Sequence, residues 1–134
     1  MSACALVVDD NFYNVKLLEA RLQVQGYLVA TAFGGEEALA QIEAFNPQIV
    51  LLDVMMPGMD GYEVCRRIRQ NPATAHLPVV MVTALDKPSD RDAAMAAGAD
   101  GFLTKPVEDD MLFPMIRRLL QDAPSKAATA AGAL

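Results

Sequence analysis

Ile49-Val50-Leu51-Leu52-Asp53-Val54-Met55-Met56-Pro57-Gly58-Met59-Asp60-Gly61 places one ionisable side chain at the end of an unbroken apolar run, with turn residues directly behind it. Such a run, bounded by Pro-Gly, reads as a strand buried on both faces, because a half-exposed strand alternates apolar with polar residues. Strands of that kind belong to parallel sheets, whose ligands bind in the crevice beyond the strands' carboxyl ends. Asp53 is therefore expected at the binding edge, facing solvent. A lone strand-end Asp is more simply a turn or helix cap, so the rest of the chain decides.

Working outward, Ala3–Val8 repeats the design, an apolar run closed by Asp9-Asp10. It is the expected first strand. Asn11–Gln25 carries Val15, Leu18 and Leu22 at helical spacing, and Gly26 closes it. Tyr27–Ala32 reads as a second strand. Gly34-Gly35 opens a second helix through Phe45, with Glu36 and Glu37 against its positive end and Pro47 beyond it. Behind Asp53, Asp60 and Glu63 have capping-box spacing for a third helix that ends near Asn71-Pro72. Pro78–Thr83 is the fourth strand, and Ser89 with Asp92 is expected to cap a fourth helix ending at Gly98. Asp100–Thr104 is the fifth strand, and the fifth helix is expected over 108–121.

Five strands alternating with five helices at short spacing call for an α/β fold, a doubly wound (βα)5 unit with a parallel sheet of order 2-1-3-4-5. The domain is expected over 1–121. Ala, Gly, Ser, Thr and Pro dominate 122–134, and Pro124 is expected to interrupt a helix, so this segment reads as a flexible tail or the start of a linker.

A chain of 134 residues with 53% hydrophobic content is the size of one domain and can bury a real core. No apolar run approaches the roughly 20 residues that span a bilayer, and no signal-peptide pattern opens the chain, so a soluble, cytoplasmic protein without membrane insertion is expected. Cys4 and Cys65 stand apart from any Cys/His cluster and read as buried reduced thiols. The net charge of -6 argues against direct nucleic-acid binding, which needs a basic face.

On the expected topology, Asp9, Asp10, Asp53, Thr83 and Lys105 converge on one crevice. Three crowded carboxylates repel, and a hard dication resolves the conflict. Asp10 and Asp53, with the backbone carbonyl of Met55 and the neighbouring Asp9, supply the kind of oxygens that Mg²⁺ takes. Lys105 adds a mobile point charge able to pair with Asp53 or with a phosphoryl oxygen. With that charge cancelled, Asp53 can attack a phosphoryl group in line, and Thr83 can donate its hydroxyl to the product. That last bond forms only after modification, so it converts chemistry at Asp53 into movement of the segment after the fourth strand.

Leu-Val-Val-Asp-Asp (6–10), Leu-Leu-Asp-Val-Met-Met-Pro-Gly-Met-Asp-Gly (51–61), Val-Thr-Ala (82–84) and Phe-Leu-Thr-Lys-Pro (102–106) together resemble the bacterial two-component response-regulator receiver domain, a flavodoxin-like fold. The likeness covers 1–121. Asn14–Leu22 and the Met-Met-Pro-Gly-Met-Asp-Gly turn look most like the receivers of PleD-type diguanylate cyclases and DivK-type stand-alone regulators. The resemblance implies that Asp53 accepts phosphate from a sensor histidine kinase or histidine phosphotransfer protein, with Lys105 as the family's lysine and Lys105-Pro106 a cis peptide. It implies a switch made of Thr83 and an aromatic, here Phe102 without a hydroxyl, that alters binding to a downstream partner or output domain or promotes a phosphorylation-dependent homodimer. It also implies that Met55 and Leu85, both apolar, control the water that hydrolyses the phosphoryl group. Slow loss of phosphate is expected.

Two surfaces stand out as candidate contacts. The resemblance makes the first helix, with Phe12 and Tyr13 at its start, the docking face for the phosphodonor, although both aromatics could equally be core. In the last helix, Leu112, Phe113, Ile116 and Leu120 are expected in the core, while Met111 and Met115, a turn apart, could face outward as a protein contact or lie buried in a deeply embedded helix. Pro114 is expected to kink or restart that helix. His76 reads as solvated, and Arg66, Arg67 and Arg69 as the wet face of the third helix. The main reading is a phosphorylation-controlled binding switch. The alternative is the regulatory N-terminal receiver of a larger output enzyme such as a diguanylate cyclase. A haloacid-dehalogenase-type hydrolase wants a second acid where this chain has Met55, and a flavodoxin-like cofactor binder wants a phosphate-cradling loop where it has Asp9-Asp10.

Overall fold

The computed structural model describes residues 3–132, with side-chain surroundings through Asp122. Strands β1 (Cys4–Val8), β2 (Leu28–Ala32), β3 (Ile49–Leu52), β4 (Val79–Thr83) and β5 (Gly101–Thr104) alternate with helices α1 (Phe12–Val24), α2 (Gly35–Phe45), α3 (Gly61–Gln70), α4 (Pro88–Ala97) and α5 (Asp109–Gly132). The strands pair in parallel in the order β2-β1-β3-β4-β5, as the alternation of elements requires.

Because successive side chains of a strand point to opposite faces, the apolar runs divide into two cores. Leu6, Val8, Val50, Leu52, Val79 and Met81 point toward α2, α3 and α4. Ala5, Val7, Ile49, Leu51, Val80 and Val82 point toward α1 and α5. β3 and β4 are buried throughout and β1 from Ala5 onward, while β2 at the edge is partly exposed. All five carboxyl ends therefore open on one side, held level by the register Val8↔Leu52 and Leu52↔Met81.

Local chemistry sets the helix ends. Asn11 caps α1 by accepting from the Asn14 N–H at 3.0 Å. Asp60 caps α3 by accepting from the Glu63 N–H at 2.9 Å, but the Glu63 carboxylate turns to Arg66 and Arg67 and leaves the reciprocal half of the box unmade. The hydrogen bonds from Arg67 and then Arg66 hold the Glu63 carboxyl below its ordinary pKa. α4 starts earlier than Ser89: Pro88 occupies its first position, and Asp90 reaches back to the Lys87 N–H at 3.1 Å.

The last helix departs most from expectation. Pro114 neither breaks nor restarts α5, because it lies on the exposed side, where one lost backbone bond leaves the buried contacts of Leu112, Phe113, Ile116 and Leu119 intact. Helical backbone continues past Gln121 and Pro124 to Gly132, through an alanine-rich stretch of high helix propensity. Leu119 joins the core, and Leu120 packs against it only partly buried. Met115 turns inward, its Sδ where a Cβ on Gly101 would lie, so it forms no outward pair with exposed Met111. Arg69 likewise leaves the wet face: it donates to the carbonyls of Gly98 and Leu77 and pairs with Asp100 at 2.8 Å, binding the end of α4 to the loop before β4.

Candidate functional site

The parallel register places Asp53 beside β1, where its N–H donates to the Val8 carbonyl at 2.9 Å. Asp9 and Asp10 follow the same strand. One carboxylate oxygen from each of Asp9, Asp10 and Asp53 lies within 4.8 Å of the others. Thr83 lies two residues beyond Met81, the partner of Leu52, and Lys105 follows β5, its N–H donating to the Thr83 carbonyl at 2.8 Å. The five expected polar residues thus share one edge of the sheet.

Contrary to the solvent-facing placement expected of it, Asp53 is only 7% exposed, and Asp9 only 5%; Asp10 alone of the three carboxylates is exposed. Buried carboxylates need partners. Lys105 supplies both, its Nζ donating to Asp9 Oδ2 at 2.6 Å and to Asp53 Oδ2 at 3.0 Å. Burial works against the charge on Lys105, but these hydrogen bonds and the charges of Asp9 and Asp53 outweigh it and hold its pKa above the ordinary lysine value. Asp9 accepts further from the Asn11 N–H at 2.9 Å and from Asn14 Nδ2 at 3.2 Å. Asp53 Oδ1 accepts from the Met55 N–H at 3.3 Å.

The crowded oxygens suit a hard dication such as Mg²⁺, which favours carboxylate ligands and keeps several waters. Asp9, Asp10 and Asp53 are the residues placed to hold it. The Met55 side chain is 59% exposed at the mouth of the site, whereas Leu85 is partly buried against the core.

Thr83 is fully buried, and its Oγ1 accepts from the Leu85 N–H at 3.4 Å. Phe102, opposite Met81 in the sheet and 8% exposed, is already packed inward, and the Lys105-Pro106 peptide is cis. At the start of α1, Phe12 and Tyr13 are 59% and 77% exposed, so neither is core. Phe12 stacks on Phe33 from the β2–α2 loop with ring centroids 5.9 Å apart, and Lys16 Nζ lies 5.4 Å from its ring.

Sequence reasoning missed Asn14, Phe33 and Gly61. Asn14 could have been found one turn into α1, on the side of the acidic pair. Gly61 was legible only as a turn residue, yet a Cβ there would meet the Asp53 carbonyl at 2.3 Å, so this close approach fixes the backbone of the acidic turn. Phe33 carried no periodic signal because it lies in a loop.

Residues 5–117 match the family described as the response regulator receiver domain. The chain is 54% identical over 119 residues to response regulator PleD of Caulobacter vibrioides, covering 89% of this chain and 26% of that protein. It is 43% identical over 116 residues to a probable transcriptional regulator, ycf27, of Cyanophora paradoxa, covering 87% and 47% of the two. The chain therefore spans about a quarter to a half of the length of these relatives. A putative response regulator from Chloroflexus aurantiacus superposes with a TM-score of 0.86 at 40% identity, covering 90% of this chain and 99% of that one. The Vibrio cholerae chemotaxis protein CheY4 does so with 0.83 at 32%, covering 89% and 99%. With the sheet order, the acidic cluster and the matched residues in agreement, the chain belongs to the response regulator receiver domain family.

Proposed function

We propose that this domain is a phosphorylation-activated switch in which Asp53 accepts a phosphoryl group from a phosphohistidine of a sensor histidine kinase or histidine phosphotransfer protein. The observation that carries this reading is the pairing of Lys105 with both Asp9 and Asp53 at a strand-end acidic cluster. The Asp53 carboxylate attacks phosphorus as the phosphohistidine nitrogen leaves, and Lys105 transfers its hydrogen bond from carboxylate to phosphoryl oxygen. Asp9, Asp10, Asp53 and the Met55 carbonyl would hold Mg²⁺, which would supply positive charge to offset that on the transferring group. The Thr83 hydroxyl then turns from Leu85 to the phosphoryl oxygen and draws the β4–α4 segment with it.

Phe102 lacks the hydroxyl that could report this movement at the surface, so its part in the switch rests on packing. Exposed Phe12 and Tyr13 fit the phosphodonor's docking face, and exposed Met111 a contact with a downstream protein, an output domain or a second copy. Apolar Met55 and Leu85 leave hydrolytic water without a polar anchor, so phosphate is lost slowly. In this reading residues 1–121 are the receiver and 122–134, which carry the helical backbone on to Gly132, are a tail or the start of a linker. No helix among the described residues is long and apolar enough to cross a membrane, which fits the cytoplasmic setting of such a switch.

Incubation with acetyl phosphate and Mg²⁺ tests the reading by intact mass. The parent gains one phosphoryl group and Asp53→Asn gains none; an unmodified parent overturns the mechanism. The 54% identity to response regulator PleD favours a second reading, the regulatory receiver of a larger output enzyme such as a diguanylate cyclase. Reading the natural gene past Leu134 separates the two.

A further inference from the structure

Lys105 is carried by the loop between β5 and α5, and that loop arches over a cleft of about 400 Å³. The floor of the cleft is apolar, formed by Val7, Leu51 and Val82, and Leu18 of α1 walls one side. Val107 packs partly buried against the apolar core, while Lys105 and Pro106 border the open cleft. At its inner end the loop is fastened by the bonds from Lys105 to Asp9 and Asp53.

At its outer end the fastening is Arg21, in the last turns of α1. Its Nη2 donates to the Val107 carbonyl at 2.8 Å, and its Nε donates to Asp109 Oδ1 at 2.8 Å, with a second bond from Nη2 to the same carboxylate oxygen. Among the described residues, Arg21 is the α1 side chain that hydrogen-bonds to this loop, at Val107, and to the first residue of α5, Asp109. A planar guanidinium can hold a carbonyl and a carboxylate together, which a lysine at this position could not do in the same geometry.

We propose that Arg21 is a positioning residue for phosphoryl transfer: it clamps the β5–α5 loop across the cleft so that the Lys105 ammonium stays aimed at Asp53. The inference rests on Asp53 being the phosphoacceptor. Freed of Arg21, the loop keeps only the partial packing of Val107 at this end and can shift across the cleft, and Lys105 loses its alignment while keeping its charge. Small misplacements of a charge-stabilising group are costly in rate even when stability hardly changes. Because Arg21 touches no reacting atom, its whole effect on the reaction passes through Lys105.

A double-mutant cycle tests this in the whole chain, with acetyl phosphate and Mg²⁺ and the rate of mass gain as the readout. Arg21→Met lowers the limiting rate about fivefold and leaves half-saturating acetyl phosphate and Mg²⁺ within about twofold, since binding groups are untouched. In a Lys105→Ala background the same substitution changes the rate by less than about 1.5-fold. An equal fall in both backgrounds, or none in the parent, overturns the clamp. If Lys105→Ala is too slow to time, the ¹⁵N signal of the Lys105 ammonium decides: it shifts and broadens in Arg21→Met if the clamp is real, and an unchanged signal overturns it. If Arg21→Met fails to fold, Asp109→Asn, which removes one arm of the clamp, is measured against the same criteria. A parent that is never phosphorylated overturns the phosphoacceptor reading instead.

Discussion

Replacing Lys105 with Met keeps most of the side-chain stem and removes the cation that two buried carboxylates share. The Asp9 and Asp53 oxygens available to a common ion lie within 4.8 Å of each other. At an effective dielectric of about 20, two negative charges that close repel by roughly 3–4 kcal/mol. Lys105 also loses its own bonds, and the removal of one partner from a buried ion pair is typically worth about 3–5 kcal/mol. Its side chain is 23% exposed, so water enters and softens both effects. A net loss of about 2–4 kcal/mol follows, or a fall in Tm of about 10 °C for a domain of this size.

Thermal unfolding of Lys105→Met in a chelator at pH 8 measures that loss directly. One further reading makes the assignment specific. Adding Mg²⁺ narrows the gap, since the cation no longer competes with an ammonium for Asp9 and Asp53, and saturation at a hundred times Kd contributes about 2.7 kcal/mol. A variant as stable as the parent in chelator, or Mg²⁺ shifts that are equal in the two proteins, would falsify the account of Lys105 as the internal counter-ion of the acidic cluster.

Three other outcomes follow from the geometry. Gly61→Ala forces a Cβ to within 2.3 Å of the Asp53 carbonyl, so the turn must shift; denaturant unfolding is expected to show a loss of about 1–3 kcal/mol, with impaired acceptance of phosphate. Met55→Asn, at an exposed position, leaves Tm nearly unchanged but gives water a polar anchor, and a chase after removal of acetyl phosphate should show decay several-fold faster than the parent. The raised Lys105 pKa means that its contribution to stability is fully present below about 10.5 and is lost as pH rises through the higher folded value. Stability of the parent relative to Lys105→Met should therefore show no loss of this contribution between pH 7 and 9, followed by a decline at strongly alkaline pH.

The apolar runs made most of the fold legible, because a strand buried on both faces must be apolar along its length. Ile49–Leu52 and Val79–Thr83 lie within the runs read from the residues. The strand-end residues Asp9, Asp10, Asp53, Thr83 and Lys105 were legible for the same reason, since topology alone brings carboxyl ends together. What escaped was set by long-range contact. Met115 looked outward by helical spacing until Gly101 supplied a hollow for its sulfur. Arg69 looked solvated until Asp100 and the Gly98 carbonyl faced it from across the fold. Pro114 lies where its missing N–H costs no buried contact, which a propensity scale cannot register.

Phe102 bears on how a signal would leave the site. It is buried in the same core as Leu52 and Met81, and it has no hydroxyl to exchange one partner for another. Thr83 retains two connections. Its hydroxyl accepts from the Leu85 N–H at the start of the β4–α4 segment, and its carbonyl accepts from the Lys105 N–H at 2.8 Å. A phosphoryl group that captured the Thr83 hydroxyl would release Leu85, and one that captured the Lys105 ammonium would release Asp9 at the same time. Both released groups belong to segments that lead to the surface, one into α4 and the other, through Asn11 and Asn14, into α1. On this connectivity a signal from a phosphorylated Asp53 would run through the β4–α4 segment and the aromatic start of α1, with Phe102 as packing against which they would move.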